Sequence, residues 1–173
     1  DSKGGPYVPL KIKLDDPRIE DKVSAIFKSV DDIEYYREVM LSVPLGKPVW
    51  SYWVTSRYGT RSDPFKKTKA RHKGCDLASL TGNKVNVKGQ GKVIRAEYAG
   101  AYGNLVVVDH GNGFQTKYAH LNKIYVKKGD RLEINDTVGE VGSTGRSTGP
   151  HLHYEVLYKG VNVDPLPFLK AKI

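Results

Sequence analysis

The apolar residues of this chain change period near residue 48. Before it, Ile19, Val23, Ile26, Phe27 and Val30 recur at three- and four-residue spacing, the period that gathers side chains on one face of a helix. Asp15-Asp16-Pro17 ahead of them is a helix-start signal: a capping acid, then proline in the first turn. Asp31-Asp32 offers a second cap, and Ile33, Tyr36 and Met40 carry a second helical stretch. Residues 1–14 read as extended, with Leu10, Ile12 and Leu14 alternating with lysines. Val43-Pro44-Leu45-Gly46-Lys47-Pro48, with two prolines and a glycine, suits a linker. The expectation is an extended and helical N-terminal segment with linker over 1–47, and a separate domain over 48–173.

From Val49 onward, short alternating runs are separated by glycines and polar turns. Val93 to Tyr98 precedes Gly100-Ala101-Tyr102-Gly103-Asn104, and Leu105 to Val108 runs into Asp109-His110-Gly111-Asn112-Gly113. Phe114, Thr116, Tyr118 and His120 then alternate with Gln115, Lys117 and Ala119. Asn112-Gly113 between two such runs is a strong hairpin signal. The predicted fold class is mainly β, an antiparallel sheet of sandwich or barrel type. A turn-rich run, Gly142 to Pro150, leads into Leu152, Tyr154, Val156 and Tyr158 at every second position. Those four share one strand face, read as the core, while His151, His153 and Glu155 share the other.

Composition narrows the function classes. The 173 residues are enough to bury a core. No run approaches the roughly 18 apolar residues of a membrane span, so no transmembrane segment is expected. The first residues lack a signal-peptide pattern, as in a cytosolic protein or a mature chain. Cys75 is the only cysteine, which excludes an intrachain disulfide and a cysteine-rich structural zinc site. The net charge of +9 favours an anionic partner such as an acidic wall polymer, membrane surface or nucleic acid. The basic residues are scattered, with short clusters around Lys66–Lys73 and Lys127-Lys128. Neither a basic helix face nor an aromatic-stacking strand accompanies them, and no nucleic-acid partner is expected.

Five histidines are the remaining chemistry. His72 and Asp76, with Gly74 free to bend between them, can converge whether the segment is helix or strand. His72, Asp76 and one of His151 and His153 make a plausible catalytic zinc set, because three imidazole or carboxylate ligands leave a fourth position for water. His120 and the other member of the pair are then free for proton transfer and oxyanion stabilisation. His110 reads as structural, and Cys75 as a small buried hydrophobe. Glu155 reads either as a surface charge or as a partner behind a ligand.

His72-x-x-x-Asp76, Tyr118-Ala119-His120-Leu121 and His151-Leu152-His153 occur in the order found in lysostaphin-type, LytM-like zinc metallo-endopeptidases. Ser56-Arg57-Tyr58-Gly59-Thr60-Arg61, Tyr102-Gly103-Asn104, Gly142-Ser143-Thr144-Gly145 and Val163-Asp164-Pro165 fit the same family. The chain resembles that family over about Pro48 to Leu169. The resemblance implies a duplicated-hybrid-motif β fold with a groove floored by antiparallel strands. It implies Zn2+ held by His72, Asp76 and His153, with His120 and His151 as the catalytic pair. It also implies hydrolysis of peptide crosslinks in bacterial peptidoglycan by zinc-activated water. Cys75 stands where the family often has an aliphatic residue. The wording from Arg57 to Pro64 is closer to Gram-negative members, which implies a periplasmic cell-envelope location and stem-peptide crosslinks over glycine bridges. Other members lack the ligands and activate cell-wall amidases, so the alternative is a non-catalytic peptidoglycan-binding regulator with a divisome or amidase partner. This chain retains every ligand.

Overall fold

The computed structural model describes residues 17–62 and 68–171. The expected extended stretch over 1–14 and the Asp15-Asp16 cap lie outside them. The predicted pair of helical stretches is one continuous helix, α1 (Pro17–Ser42). Asp31-Asp32 does not interrupt it because no proline or glycine falls within the helix after Pro17, and an aspartate inside a helix costs only a few tenths of a kcal/mol.

Thirteen strands follow among the described residues: β1 (Trp53–Ser56), β2 (Gly59–Ser62), β3 (Lys69–His72), β4 (Cys75–Ala78), β5 (Lys84–Asn86), β6 (Gly91–Tyr98), β7 (Asn104–Gly111), β8 (Phe114–Leu121), β9 (Lys123–Ile124), β10 (Arg131–Leu132), β11 (Thr137–Glu140), β12 (His151–Tyr158) and β13 (Val161–Val163). A short helix, α2 (Leu166–Lys170), ends the described chain. The main sheet has the order β1-β4-β12-β8-β7-β6-β10, with β13 also paired to β12. A three-stranded sheet, β5-β11-β9, and the β2-β3 pair complete the architecture. The pairings are antiparallel, as the alternating pattern predicts. The Asn112-Gly113 hairpin forms between β7 and β8, with φ of 49° and 83° at its two residues. That double positive φ is what a tight primed turn requires.

Leu152, Tyr154 and Val156 of β12 are buried at 0% exposure, against Leu77 and Cys75 of β4 and Tyr118 of β8. Tyr158, expected on the same core face, is 40% exposed. It sits where β12 ends, paired with Phe114 and Val161, and packs its ring 4.8 Å from that of Phe114. Cys75 is in the core. Burial, reinforced by the charge of Asp76, pushes its thiol up to about 12, so it is an inert hydrophobe. The contacts divide the chain into two compact units, the second of which begins at Val39.

Candidate metal centre and catalytic groove

The centre of the second unit is built on the register of three neighbouring strands. Asp76 of β4 pairs with His153 of β12, which pairs in turn with Ala119 of β8. Residues directly opposite one another share a face, so Asp76 and His153 point the same way. His72 arrives from the end of β3 through the turn at Lys73-Gly74. Gly74 is required there, because a Cβ would lie 2.2 Å from the Tyr154 carbonyl oxygen.

Three donor atoms meet at this point. His72 Nε2 lies 3.1 Å from Asp76 Oδ1 and 3.1 Å from His153 Nδ1, and His153 Nδ1 lies 2.8 Å from Asp76 Oδ1. The far side of each ring fixes its proton. His72 Nδ1 donates to the Arg57 carbonyl at 2.8 Å, and His153 Nε2 donates to Glu155 Oε1 at 3.2 Å. Both inward nitrogens are therefore lone pairs, facing each other and a carboxylate oxygen. Three acceptors cannot satisfy one another; the arrangement calls for a cation. Burial raises the carboxyl pKa of Asp76, but the imidazoles of His153 and His72, which donate to it when protonated, outweigh this and hold it well below the usual range. Burial lowers the imidazole pKa of His153, but the carboxylates of Asp76 and Glu155 outweigh it and raise it. Both shifts have one cause: positive charge is stabilised between these groups. Tetrahedral zinc at about 2.0–2.2 Å from N and O ligands needs donors only a few tenths of an ångström farther apart than these. The donor set fits that metal. The second oxygen of Asp76 is 3.3 Å from Arg61 Nη2.

His120 and His151 stand beside this cluster, their ring centroids 4.8 Å apart. His151 shares the groove face of β12 with His153. Its Nδ1 donates to the Gly149 carbonyl at 2.8 Å, leaving Nε2 bare, 3.7 Å from Asp76 Oδ1. His120 reaches the groove differently. Strict alternation would put it with Tyr118 on the core face. Between Asn104–Leu121 and Val106–Tyr118 the register slips, so Ala119 and His120 oppose the single residue Leu105. This β-bulge, with His120 at φ 61°, turns the side chain to the groove, as bulges beside functional sites do. His120 Nδ1 donates to the Thr144 carbonyl at 2.8 Å, leaving its Nε2 bare as well. Burial pushes its imidazole down to about 4, so it is neutral near pH 7.

These residues line a groove of about 330 Å³, walled on one side by Arg146, Ser147 and Thr148 of the Gly-rich loop. That loop is pinned by the Arg146 N–H to the Ala101 carbonyl at 2.9 Å. His110 lies apart from the groove, buried in β7, with Nδ1 donating to the Gln90 carbonyl and Nε2 2.8 Å from Thr116 Oγ1. Glu155 is at 0% exposure, which removes the surface-charge reading. Sequence reasoning missed Arg61 and Tyr102 as groove residues; they appeared only within flanking family text.

A profile of Peptidase family M23 matches residues 70–165, which carry all five groove residues named from sequence. The chain belongs to peptidase family M23. This M23 chain is 41% identical over 128 residues to the peptidoglycan DD-endopeptidase ShyA of Vibrio cholerae serotype O1, covering 73% of this chain and 29% of that protein. It thus spans less than a third of ShyA. Among solved structures it resembles a zinc containing peptidase from Vibrio cholerae (TM-score 0.63, 35% identity, 76% of this chain and 40% of that one). It also resembles the catalytic domain of the antimicrobial peptidase lysostaphin from Staphylococcus simulans (TM-score 0.64, 31% identity, 69% and 93%). The mainly antiparallel β architecture is that of these neighbours.

Proposed function

We propose that this chain is a zinc-dependent endopeptidase that hydrolyses peptide crosslinks of bacterial peptidoglycan in the cell envelope, in the periplasm of a Gram-negative organism. The observation that carries the reading is the convergence of three lone-pair donors, His72 Nε2, Asp76 Oδ1 and His153 Nδ1, within 3.1 Å of one another beside the imidazoles of His120 and His151. The DD-endopeptidase relative supports the substrate class.

His72, Asp76 and His153 hold the metal. Zinc, when bound, supplies Lewis acidity that polarises a scissile carbonyl and acidifies water. His120 and His151 present bare Nε2 atoms to the groove, so either can take a proton from attacking water and return one to the leaving amine. Their Nδ1 bonds to the carbonyls of Thr144 and Gly149 fix the tautomers for that task. Once protonated, the same rings donate to a developing oxyanion. Arg61 holds the remaining oxygen of Asp76 and so orients that carboxylate.

The test is zinc content per chain together with the masses of fragments released from purified peptidoglycan. Wild type is expected to hold one zinc and release crosslinked muropeptides as uncrosslinked ones. Asp76→Ala is expected to lose both properties, and His120→Ala to keep the metal but lose cleavage. Full lysis by metal-free Asp76→Ala would sink the mechanism. Stoichiometric zinc with no cleavage by wild type would favour a regulatory protein instead.

A further inference from the structure

Glu155 is the one completely buried carboxylate among the described residues, at 0% exposure. Buried carboxylates persist only when both oxygens are satisfied. Here four donors from separate parts of the fold do this. Oε2 accepts from Asn162 Nδ2 at 2.9 Å and from Lys117 Nζ at 3.1 Å. Oε1 accepts from Tyr102 Oη at 2.9 Å and from His153 Nε2 at 3.2 Å. Lys117 is the register partner of Glu155 across β8 and β12, so that ion pair alone would explain a structural role. It does not explain why the other oxygen faces His153.

We propose that Glu155 is the positioning residue that makes His153 a metal ligand, an assignment that rests on the zinc reading above. Alternation along β12 puts Glu155 on the same face as His153, two residues on. Its carboxylate accepts and never donates, so His153 must carry its proton on Nε2. Nδ1 is thereby left as a lone pair aimed at Asp76 and His72. Tyr102 shares the accepting oxygen and sits in the groove wall. The same carboxylate therefore ties the wall to the back of the ligand. Glutamine keeps the volume but brings an NH2 among four donors. Turned toward His153, that NH2 favours the opposite tautomer, with the proton on Nδ1 where the metal belongs. Turned toward Lys117 and Asn162, it sets donor against donor and removes the negative charge that raises ligand basicity.

The experiment is zinc affinity by chelator competition, with thermal stability of the zinc-free proteins in parallel, for wild type, Glu155→Gln, Lys117→Met and Asp76→Ala. Glu155→Gln is expected to bind zinc about 10–100-fold more weakly. Lys117→Met, which removes the ion pair but leaves the His153 contact, is expected to lose stability and keep affinity within a few-fold. The role is overturned if Glu155→Gln binds like wild type, or if Lys117→Met loses as much affinity as Glu155→Gln. If wild type and Asp76→Ala bind zinc alike, the metal reading falls and the role of Glu155 with it. A difference between those two, with Glu155→Gln equal to wild type, removes the role alone. Should Glu155→Gln fail to fold, nitrogen-15 NMR of the zinc-loaded wild type decides. A slowly exchanging ring N–H on Nε2 of His153 is expected, and a freely exchanging one overturns the proposal.

Discussion

His120 combines strain with function. A left-handed φ of 61° at a histidine costs about 1 kcal/mol or more and persists where the surroundings enforce it. Asparagine adopts that region more readily. His120→Asn is therefore expected to unfold at the wild-type midpoint or slightly above it, since relief of about 1 kcal/mol offsets the lost bond to Thr144. Its cleavage rate should fall by about 10²–10⁴-fold. A loss of several degrees in midpoint would show that the backbone there is unstrained. His110 gives the pH-dependent counterpart. Burial lowers its pKa despite the opposing hydrogen bonds that the ring donates to the Gln90 and Gly89 backbone. The unfolded chain, with histidine near 6.5, then binds the proton at higher pH than the folded one. Stability from this residue is present above about pH 6.5 and is lost as pH falls below it. His110→Gln is expected to cost about 1–2 kcal/mol at pH 7.5. The gap to wild type should narrow on acidification to pH 5.5, read by denaturant unfolding at both pH values. These two residues also mark what a sequence can convey. Spacing identified His72, Asp76, His151 and His153 because their convergence depends on strand period and one glycine. His120 entered only as a histidine left over from the ligand set, because the bulge that redirects it depends on a register slip against β7. Periodicity carries no trace of that slip.

Among the elements, the β4-β12 pairing determines whether the cluster forms at all. His153 opposes Asp76, and Tyr154 opposes Cys75, immediately beside the point where Gly74 passes the Tyr154 carbonyl. A methyl group at residue 74 would stand 2.2 Å from that oxygen and 2.9 Å from Glu155 Cγ. Backbone on a central strand cannot yield cheaply, so the chain must shift between His72 and Asp76. Gly74→Ala is expected to cost about 1–3 kcal/mol and to weaken zinc binding disproportionately, as measured by unfolding with and without excess metal. Stability lost equally in both conditions would separate the turn from the cluster. The hairpin and the alternating strands were legible because each is a local rule: primed-turn residues, period two. The continuity of α1 was less so. Asp31-Asp32 is compatible with a cap or a helix interior, and only the surrounding backbone distinguishes them.

At the scale of the whole molecule, the open question is where the independently stable unit begins. Composition puts the boundary at the Pro- and Gly-rich linker, after residue 47. The contacts put it after Glu38, and the hydrogen bonds show why the difference matters. The Gln90 N–H donates to the Leu41 carbonyl at 2.8 Å, and the Gly46 N–H donates to the Phe168 carbonyl at 2.9 Å. Ser42, 1% exposed, accepts from Asn112 Nδ2 at 3.1 Å. Its carbonyl passes so close to Gly89 that a Cβ there would lie 2.8 Å away. Residues 39–47 thus belong to the β unit physically, although their composition reads as connector. A chain beginning at Val39 is expected to melt close to the 39–173 transition of the full chain. One beginning at Pro48 loses three such bonds, about 3 kcal/mol in all, a substantial part of a typical 5–15 kcal/mol. Its midpoint should drop by roughly 10 °C, with zinc affinity falling less, because His72, Asp76 and His153 lie on other strands. Equal midpoints for the two truncated chains would return the boundary to the linker.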